Sequence, residues 1–157
     1  MPAAVAQKYD VALELLERAI ELFLRGDSYY AALHLGGGAE ELLSAYAREI
    51  KTSPTTTLIP AFDQMKGAFL KLMNHSTRDE VEALEKWIHD RMLDAKNSVK
   101  HKRGRYDMTV SFDPKEEAYD VIDRAITTYF QLFPILKLRP LRSIEQFDAK
   151  HREECKA

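Results

Sequence analysis

Apolar residues recur at three- and four-residue steps along most of this chain, which is the pattern of amphipathic α-helices. The first such stretch runs from about Ala3 to Leu24, and Gly26 follows it as a residue that readily ends a helix. Its apolar positions are Tyr9, Leu13, Leu16, Ile20 and Phe23. We therefore predict a first helix that buries this stripe.

A second helix is predicted after Asp27 or Ser28, since either side chain can cap a helix N-terminus. Three consecutive glycines, 36–38, lie in its middle, and each costs a helix about 1 kcal/mol relative to alanine. We expect close approach of another helix to this bare backbone to offset that cost. A ligand seated against the glycines is the alternative.

Helix three is predicted at about 58–73, after a connection at 52–57. Its expected buried stripe is Ala61, Phe62, Met65, Phe69 and Leu72. Helix four should run from about Arg78 to around Lys100, since Thr77 and Glu80 have the spacing of a capping box. Its apolar positions are Val81, Leu84, Trp87, Ile88 and Met92.

Helix five should begin after Asp113 and Pro114, a capping residue followed by a first-turn proline. Its expected inner face is Val121, Ile122, Ala125, Ile126, Tyr129 and Phe130. Residues 106–112 alternate loosely, but one isolated strand is not stable, so we predict a loop there. A second capping box, Ser143 with Gln146, favours a short polar helix near the C-terminus.

These elements predict an all-α fold, an antiparallel up-and-down bundle of about five helices. Residues 1–140 should form the bundle, and residues 141–157 a short C-terminal helix or tail. A chain of 157 residues with 45% hydrophobic and 31% charged residues can build one core without disulfide or metal support.

Charge and cysteine content narrow the function classes. The formal net charge of −2 shows no global basic excess, so any nucleic-acid site must be a local basic patch. The single cysteine, Cys155, has no intramolecular partner and does not imply an oxidising compartment. We find no signal-peptide pattern and no apolar run of about 18–20 residues, so we expect a cytoplasmic protein without a membrane partner.

The usual nucleotide and zinc motifs are absent from the sequence, and we predict neither a metal site nor a cofactor. The feature richest in candidate chemistry is the segment 94–105. It carries five basic residues: Lys96, Lys100, Lys102, Arg103 and Arg105. Asn97 and His101 are four residues apart and share a face if the helix persists that far.

Two interpretations of this segment stay open. Cations near a helix C-terminus favourably complement the helix macrodipole, which needs no ligand. In the functional interpretation, His101 moves a proton near neutral pH, and the lysines and arginines neutralise a phosphodiester. Asn97 would orient either group, as metal-free RNA cleavage or anion binding requires.

Three stretches resemble the HEPN superfamily of small helical bundles. They are the aromatic and alanine-rich segment 27–34 leading into 38–43, the segment 96–101, and the segment 116–126 with Tyr129. The family's hallmark is an arginine, then a polar residue, with a histidine four to six residues beyond. Asn97 and His101 match this hallmark, but Lys96 stands where arginine is expected. The resemblance covers about 9–132.

The resemblance implies a homodimer in which two copies of the motif face a shared cleft, and either endoribonuclease activity or RNA or nucleotide binding. It assigns His101 as the acid–base residue, Lys96 as the phosphate clamp and Asn97 as their support. Lys100, Lys102, Arg103 and Arg105 would contact RNA phosphates. Arginine can make two hydrogen bonds to one phosphate from a rigid guanidinium group, and lysine cannot. The resemblance therefore supports catalysis less strongly than it supports RNA binding.

Two alternatives use other features. A non-enzymatic module would dimerise through helix four or five and present the basic loop to an acidic protein partner. A small-molecule or metal site would use His34, Glu40 and Glu41 near the glycines, with His89 or His101.

Overall fold

The computed structural model describes residues 5–73, 75 and 77–156, which form a bundle of six helices. The helices are α1 (Lys8–Arg25), α2 (Tyr29–Glu49), α3 (Ala61–Leu72), α4 (Arg78–Ser98), α5 (Pro114–Leu136) and α6 (Ser143–Glu154). Two short antiparallel strands, β1 (Lys51–Ser53) and β2 (Thr56–Thr57), pair in the connection between α2 and α3. The predicted all-α bundle is confirmed, and the predicted helix start at Ala3 lies outside the described residues.

Local sequence sets several helix ends as predicted. Gly26 ends α1 in a left-handed conformation, φ 77°, and its N–H donates to the carbonyls of Leu22 and Phe23. Thr77 and Glu80 form both hydrogen bonds of the capping box, at 3.2 and 3.0 Å. At the start of α5, the carboxylate of Asp113 accepts hydrogen bonds from two backbone N–H groups. These ends explain why α4 and α5 begin where they do.

The core lies around α2, which packs against α1 and α5. Its largest fully buried apolar side chains include Leu13, Leu16, Ile20, Leu33, Leu43, Ile122, Tyr129 and Leu132. Helix α6 joins the same core, because Ile144 and Phe147 are buried there. No helix within the described residues is long and apolar enough to cross a membrane.

The three glycines of α2 each face a different neighbouring helix, because successive helix positions point about 100° apart. A Cβ atom added at Gly36, Gly37 or Gly38 would lie 3.1, 3.3 or 3.2 Å from the nearest side chain. Those side chains are, in the same order, Ile122 of α5, Lys96 of α4 and Leu15 of α1. The expected close helix approach is therefore confirmed.

Two expectations about the apolar faces were wrong. On α3 only Ala61 and Phe62 are buried, and the rest of the predicted stripe, up to Leu72 at 81% exposure, faces outward. On α5, Phe130 of the predicted inner face is 55% exposed. Trp87 of α4, which is 52% exposed, lies outside the core. The reason on α3 is that its first turn docks on α5, where Ala61 N donates to the buried Thr128 Oγ1 at 3.0 Å.

The second predicted capping box does not form. Helix α6 begins at Ser143 itself, after Arg142, and no side chain caps it. Helix α6 is held instead by Ile144 and Phe147, whose burial stabilises the helix without a cap.

Candidate nucleic-acid interface

A groove of about 410 Å³ opens at the C-terminal end of α4. One wall is formed by the end of the helix and the residues after it, and the other by residues 107–110, which have no regular secondary structure. The groove is lined by Ser98, Val99, Lys100, His101, Lys102, Asp107, Met108, Thr109 and Val110. Three consecutive basic residues therefore meet at one wall of a single groove.

The end of α4 determines how these basic residues are presented. The helix ends at Ser98, and the N–H groups of Lys100 and His101 both bond to the Asn97 carbonyl, at 3.1 and 3.0 Å. This shared acceptor closes the last turn, after which the chain leaves the helix. The side chain of His101 is exposed in that position. Its charge, when protonated, would complement the negative end of the α4 dipole.

The loop after α4 is shaped by its own side chains. Lys102 Nζ donates to the carbonyls of Gly104 and Arg105, at 2.8 and 3.4 Å, and Gly104 has a left-handed φ of 80°. Asp107 accepts a hydrogen bond from Arg103 N at 2.5 Å. These bonds fold the loop back on itself, and Arg103 and Arg105 are both exposed.

Lys96 has a different environment, inside the bundle between α2, α4 and α5. Its side chain is only 3% exposed, and its Nζ lies 3.1 Å from Glu40 Oε2. Arg124 Nε donates to the other oxygen of Glu40 at 2.5 Å. Both cations also lie near the Phe62 ring, with their charged atoms 5.5 and 5.9 Å from its centroid. Lys96 therefore neutralises a buried carboxylate and borders a separate cavity of about 180 Å³.

Glu41 connects the buried ion pair to the groove. Its Oε1 lies 3.3 Å from Lys96 Nζ and 3.2 Å from Lys100 Nζ. Burial acts to raise the pKa of Glu41, but the two lysines outweigh it and lower that pKa below its ordinary value. Glu41 is therefore held ionised, and Lys100 reaches the groove as a partly paired cation.

Asn97 belongs to another surface. It lines a cavity of about 300 Å³ with Asp90, Arg91, Leu93, Asp94 and Arg103. The groove described above is lined by His101 but not by Asn97. The backbones of Asn97 and His101 are hydrogen-bonded to each other, but their side chains line different cavities because α4 ends between them, at Ser98.

The structure thus brings Lys100, His101 and Lys102 together, with Arg103 and Arg105 exposed on the same loop. It places Lys96 and Asn97 in two other environments. Sequence reasoning missed Arg124 and the pairing of Glu40 with Lys96. One signal was available, because Arg124 falls among the apolar inner positions of α5, where a charged residue needs a partner.

The structure also shows where the residues of the alternative metal site lie. Glu40 is occupied by two cations, and His34 is exposed on α2. Over the part of the chain that the structure describes, no three His, Cys, Asp or Glu side chains cluster as metal ligands would.

Comparison of the chain with protein-family models, curated proteins and solved structures finds no match.

Proposed function

We propose that this chain is a HEPN-like RNA-binding protein that contacts RNA phosphates through the groove at the end of α4. The observation that supports the proposal is the wall of Lys100, His101 and Lys102, which lines a groove of about 410 Å³. Arg103 and Arg105 extend this basic surface along the loop. Basic side chains concentrated at one end of an otherwise near-neutral protein are the usual electrostatic footprint of a phosphate site.

Metal-independent cleavage of RNA is the catalytic form of this proposal. His101 would accept the proton of the attacking 2′-hydroxyl, because it is exposed in the groove and imidazole is the side chain most often used for general acid–base catalysis. The buried pairing of Lys96 with Glu40 favours binding over cleavage, since Lys96 is not free to clamp a phosphate. Lys100 and Lys102 are the cations beside His101 in the groove.

A homodimer in the cytoplasm completes the proposal. In the HEPN resemblance, two copies of the motif face one cleft, which would double the number of cations around one RNA. A single copy offers few fully exposed cations in the groove, because Lys100 is paired with Glu41 and Lys102 with loop carbonyls. A second copy would therefore strengthen phosphate binding.

Binding is tested with a fluorescently labelled single-stranded RNA, whose polarisation is followed over a series of salt concentrations. We expect affinity to fall with salt, with a log–log slope of about −0.7 per phosphate contact. The charge reversal Arg103→Glu with Arg105→Glu should weaken binding at least about tenfold. Arg18→Glu with Arg25→Glu is the matched control, because both arginines are exposed on α1. Equal affinities of the two double variants would contradict the proposal.

Cleavage is tested separately, with unlabelled RNAs in chelator and with wild-type protein beside His101→Ala. Wild-type activity that yields 2′,3′-cyclic phosphate ends and is lost in His101→Ala would establish the ribonuclease. Binding without cleavage by either protein would leave an RNA-binding protein whose motif is degenerate.

The second candidate is a non-enzymatic interaction module, favoured by the exposed apolar side chains of α3 and α4. Met65, Phe69 and Leu72 form one exposed stripe on α3, and Trp87 is half exposed on α4. Apolar surface of this kind commonly marks a protein interface. In this function the basic loop would bind an acidic protein, and His101→Ala would leave partner binding unchanged.

A further inference from the structure

The two walls of the groove differ in chemistry. The wall that follows α4 carries Lys100, His101 and Lys102. Residues 107–110 contribute the apolar side chains of Met108 and Val110 together with Asp107 and Thr109. A nucleotide has the same two parts, an anionic phosphate and a base with apolar faces. The groove therefore matches one nucleotide more closely than it matches a phosphate alone.

Tyr106 stands beside this groove with 90% of its surface exposed. Aromatic side chains usually bury much of their surface, because burial of a large ring is strongly favourable. Among the described residues, no aromatic ring stacks on Tyr106 and no cation lies over it. Along the chain, Tyr106 lies between the exposed Arg105 and the groove-lining residues 107–110, and its ring is an exposed flat surface.

The backbone fixes Tyr106 in this position. Its carbonyl accepts a hydrogen bond from Met108 N at 3.0 Å, and Asp107 holds Arg103 N. The left-handed turn at Gly104 lies two residues before Tyr106. Because the backbone on both sides of Tyr106 is held by hydrogen bonds, less backbone entropy is lost when a base stacks on its exposed ring.

We infer that the segment 99–110 binds single-stranded RNA, with one base stacked on the Tyr106 ring and the adjacent phosphates on the basic wall. This inference rests on the proposed function and specifies its substrate class. A duplex is a poor ligand, because its base faces are already stacked and a groove of about 410 Å³ is too small to admit it. Stacking tolerates any base, so little sequence preference is expected.

The test compares three ligands with the same number of phosphates: a labelled oligouridine, a mixed-sequence duplex of half its length and an abasic single strand. Wild-type protein should bind the oligouridine most tightly. Tyr106→Ala should weaken that binding about 5- to 100-fold, and Tyr106→Phe should restore it, because the ring and not the hydroxyl carries the contact. On the abasic strand, wild type and Tyr106→Ala should bind equally.

Tyr30→Ala is the matched control, because Tyr30 is an exposed tyrosine on α2 and does not line the groove. Wild-type affinity for oligouridine in Tyr106→Ala, together with weakened binding in the Arg103→Glu and Arg105→Glu double variant, would overturn the stacking inference and leave the proposed function standing. Tighter binding of the duplex than of the single strand would also overturn it. If wild type binds none of the three ligands at low salt, both the inference and the proposed function fail.

Discussion

Lys96 Nζ lies 3.1 Å from Glu40 Oε2 at a point where both side chains are almost completely buried. The second carboxylate oxygen of Glu40 is taken by Arg124, so one anion serves two cations. The three residues belong to α2, α4 and α5, and their bonds join these helices through charge as well as through apolar packing. The position that the resemblance assigns to a phosphate clamp is therefore a structural position in this chain.

Removal of Glu40 should destabilise the fold more than removal of Lys96. Glu40→Gln leaves the buried Arg124 without its carboxylate and Lys96 with the half-exposed Glu41 alone, and we expect a loss of about 3–5 kcal/mol in the free energy of unfolding. Lys96→Met leaves Glu40 paired with Arg124 and should cost less than Glu40→Gln. Urea unfolding followed by circular dichroism gives both values.

Lys86→Met is the surface control for this comparison. Lys86 pairs with Asp90 on the exposed side of α4, and such pairs contribute about 0–1 kcal/mol. If Glu40→Gln unfolds at the same urea concentration as Lys86→Met, the buried cluster does not stabilise the bundle as described.

Replacement of a helical glycine by alanine should change the stability of the fold in opposite directions at Gly36 and at Gly67. At Gly36 an added methyl group would lie 3.1 Å from Ile122 and 3.3 Å from Val121, both β-branched, and we expect overpacking to destabilise by about 1–3 kcal/mol. Gly67 in α3 has no atom within 4 Å of an added Cβ, so Gly67→Ala should stabilise by about 0.5–1 kcal/mol through helix propensity. Thermal unfolding of the two variants measures the difference in sign, and destabilisation of both would refute the packing argument.

These residues also show where sequence reasoning succeeds and where it stops. The helices and the close approach at the glycines follow from local periodicity and local backbone cost, so they could be predicted. The pairing of Glu40 with Lys96 and Arg124 could not be predicted, because Glu40 is 56 residues from Lys96 and 84 residues from Arg124 along the chain. Likewise, Asn97 and His101 could share a face only if α4 continued past Ser98. The helix ends at Ser98 instead, and that end depends on the hydrogen bonds that Lys102 and Asp107 make in the following loop.

The stability of the protein at alkaline pH should depend on Tyr119. Burial, with smaller contributions from Asp123 and Asp148, raises the pKa of Tyr119 to about 12. Because the folded pKa lies above the ordinary value of 10.0, this group's contribution is complete below about pH 10 and is lost as pH rises towards about 12. Tyr119→Phe should therefore lose less stability over this range than wild type.

The measurement is the free energy of unfolding by urea at several pH values across that interval. Tyr106→Phe is the matched control, since it removes one phenol from an exposed position and should follow the wild-type curve. Parallel curves for Tyr119→Phe and wild type would show that the Tyr119 hydroxyl titrates alike in the folded and unfolded chains.

The proposed homodimer has two candidate faces, and each carries one exposed aromatic residue. Trp87 on α4 is 52% exposed and Phe130 on α5 is 55% exposed, so the two positions are matched in accessibility. An aromatic anchor at the centre of an interface typically contributes 2 kcal/mol or more, which weakens dimerisation about 30-fold when it is removed. Trp87→Ser and Phe130→Ser should each leave the monomer folded, because neither side chain is part of the buried core.

Sedimentation velocity over a range of protein concentrations distinguishes the faces. A shift towards monomer in Trp87→Ser alone places the dimer on α4, the helix that the basic loop follows directly. A shift in Phe130→Ser alone places it on α5. A monomer in wild type at every concentration would remove the dimer from the proposal and require one groove, with its own Lys100, His101 and Lys102, to bind RNA alone.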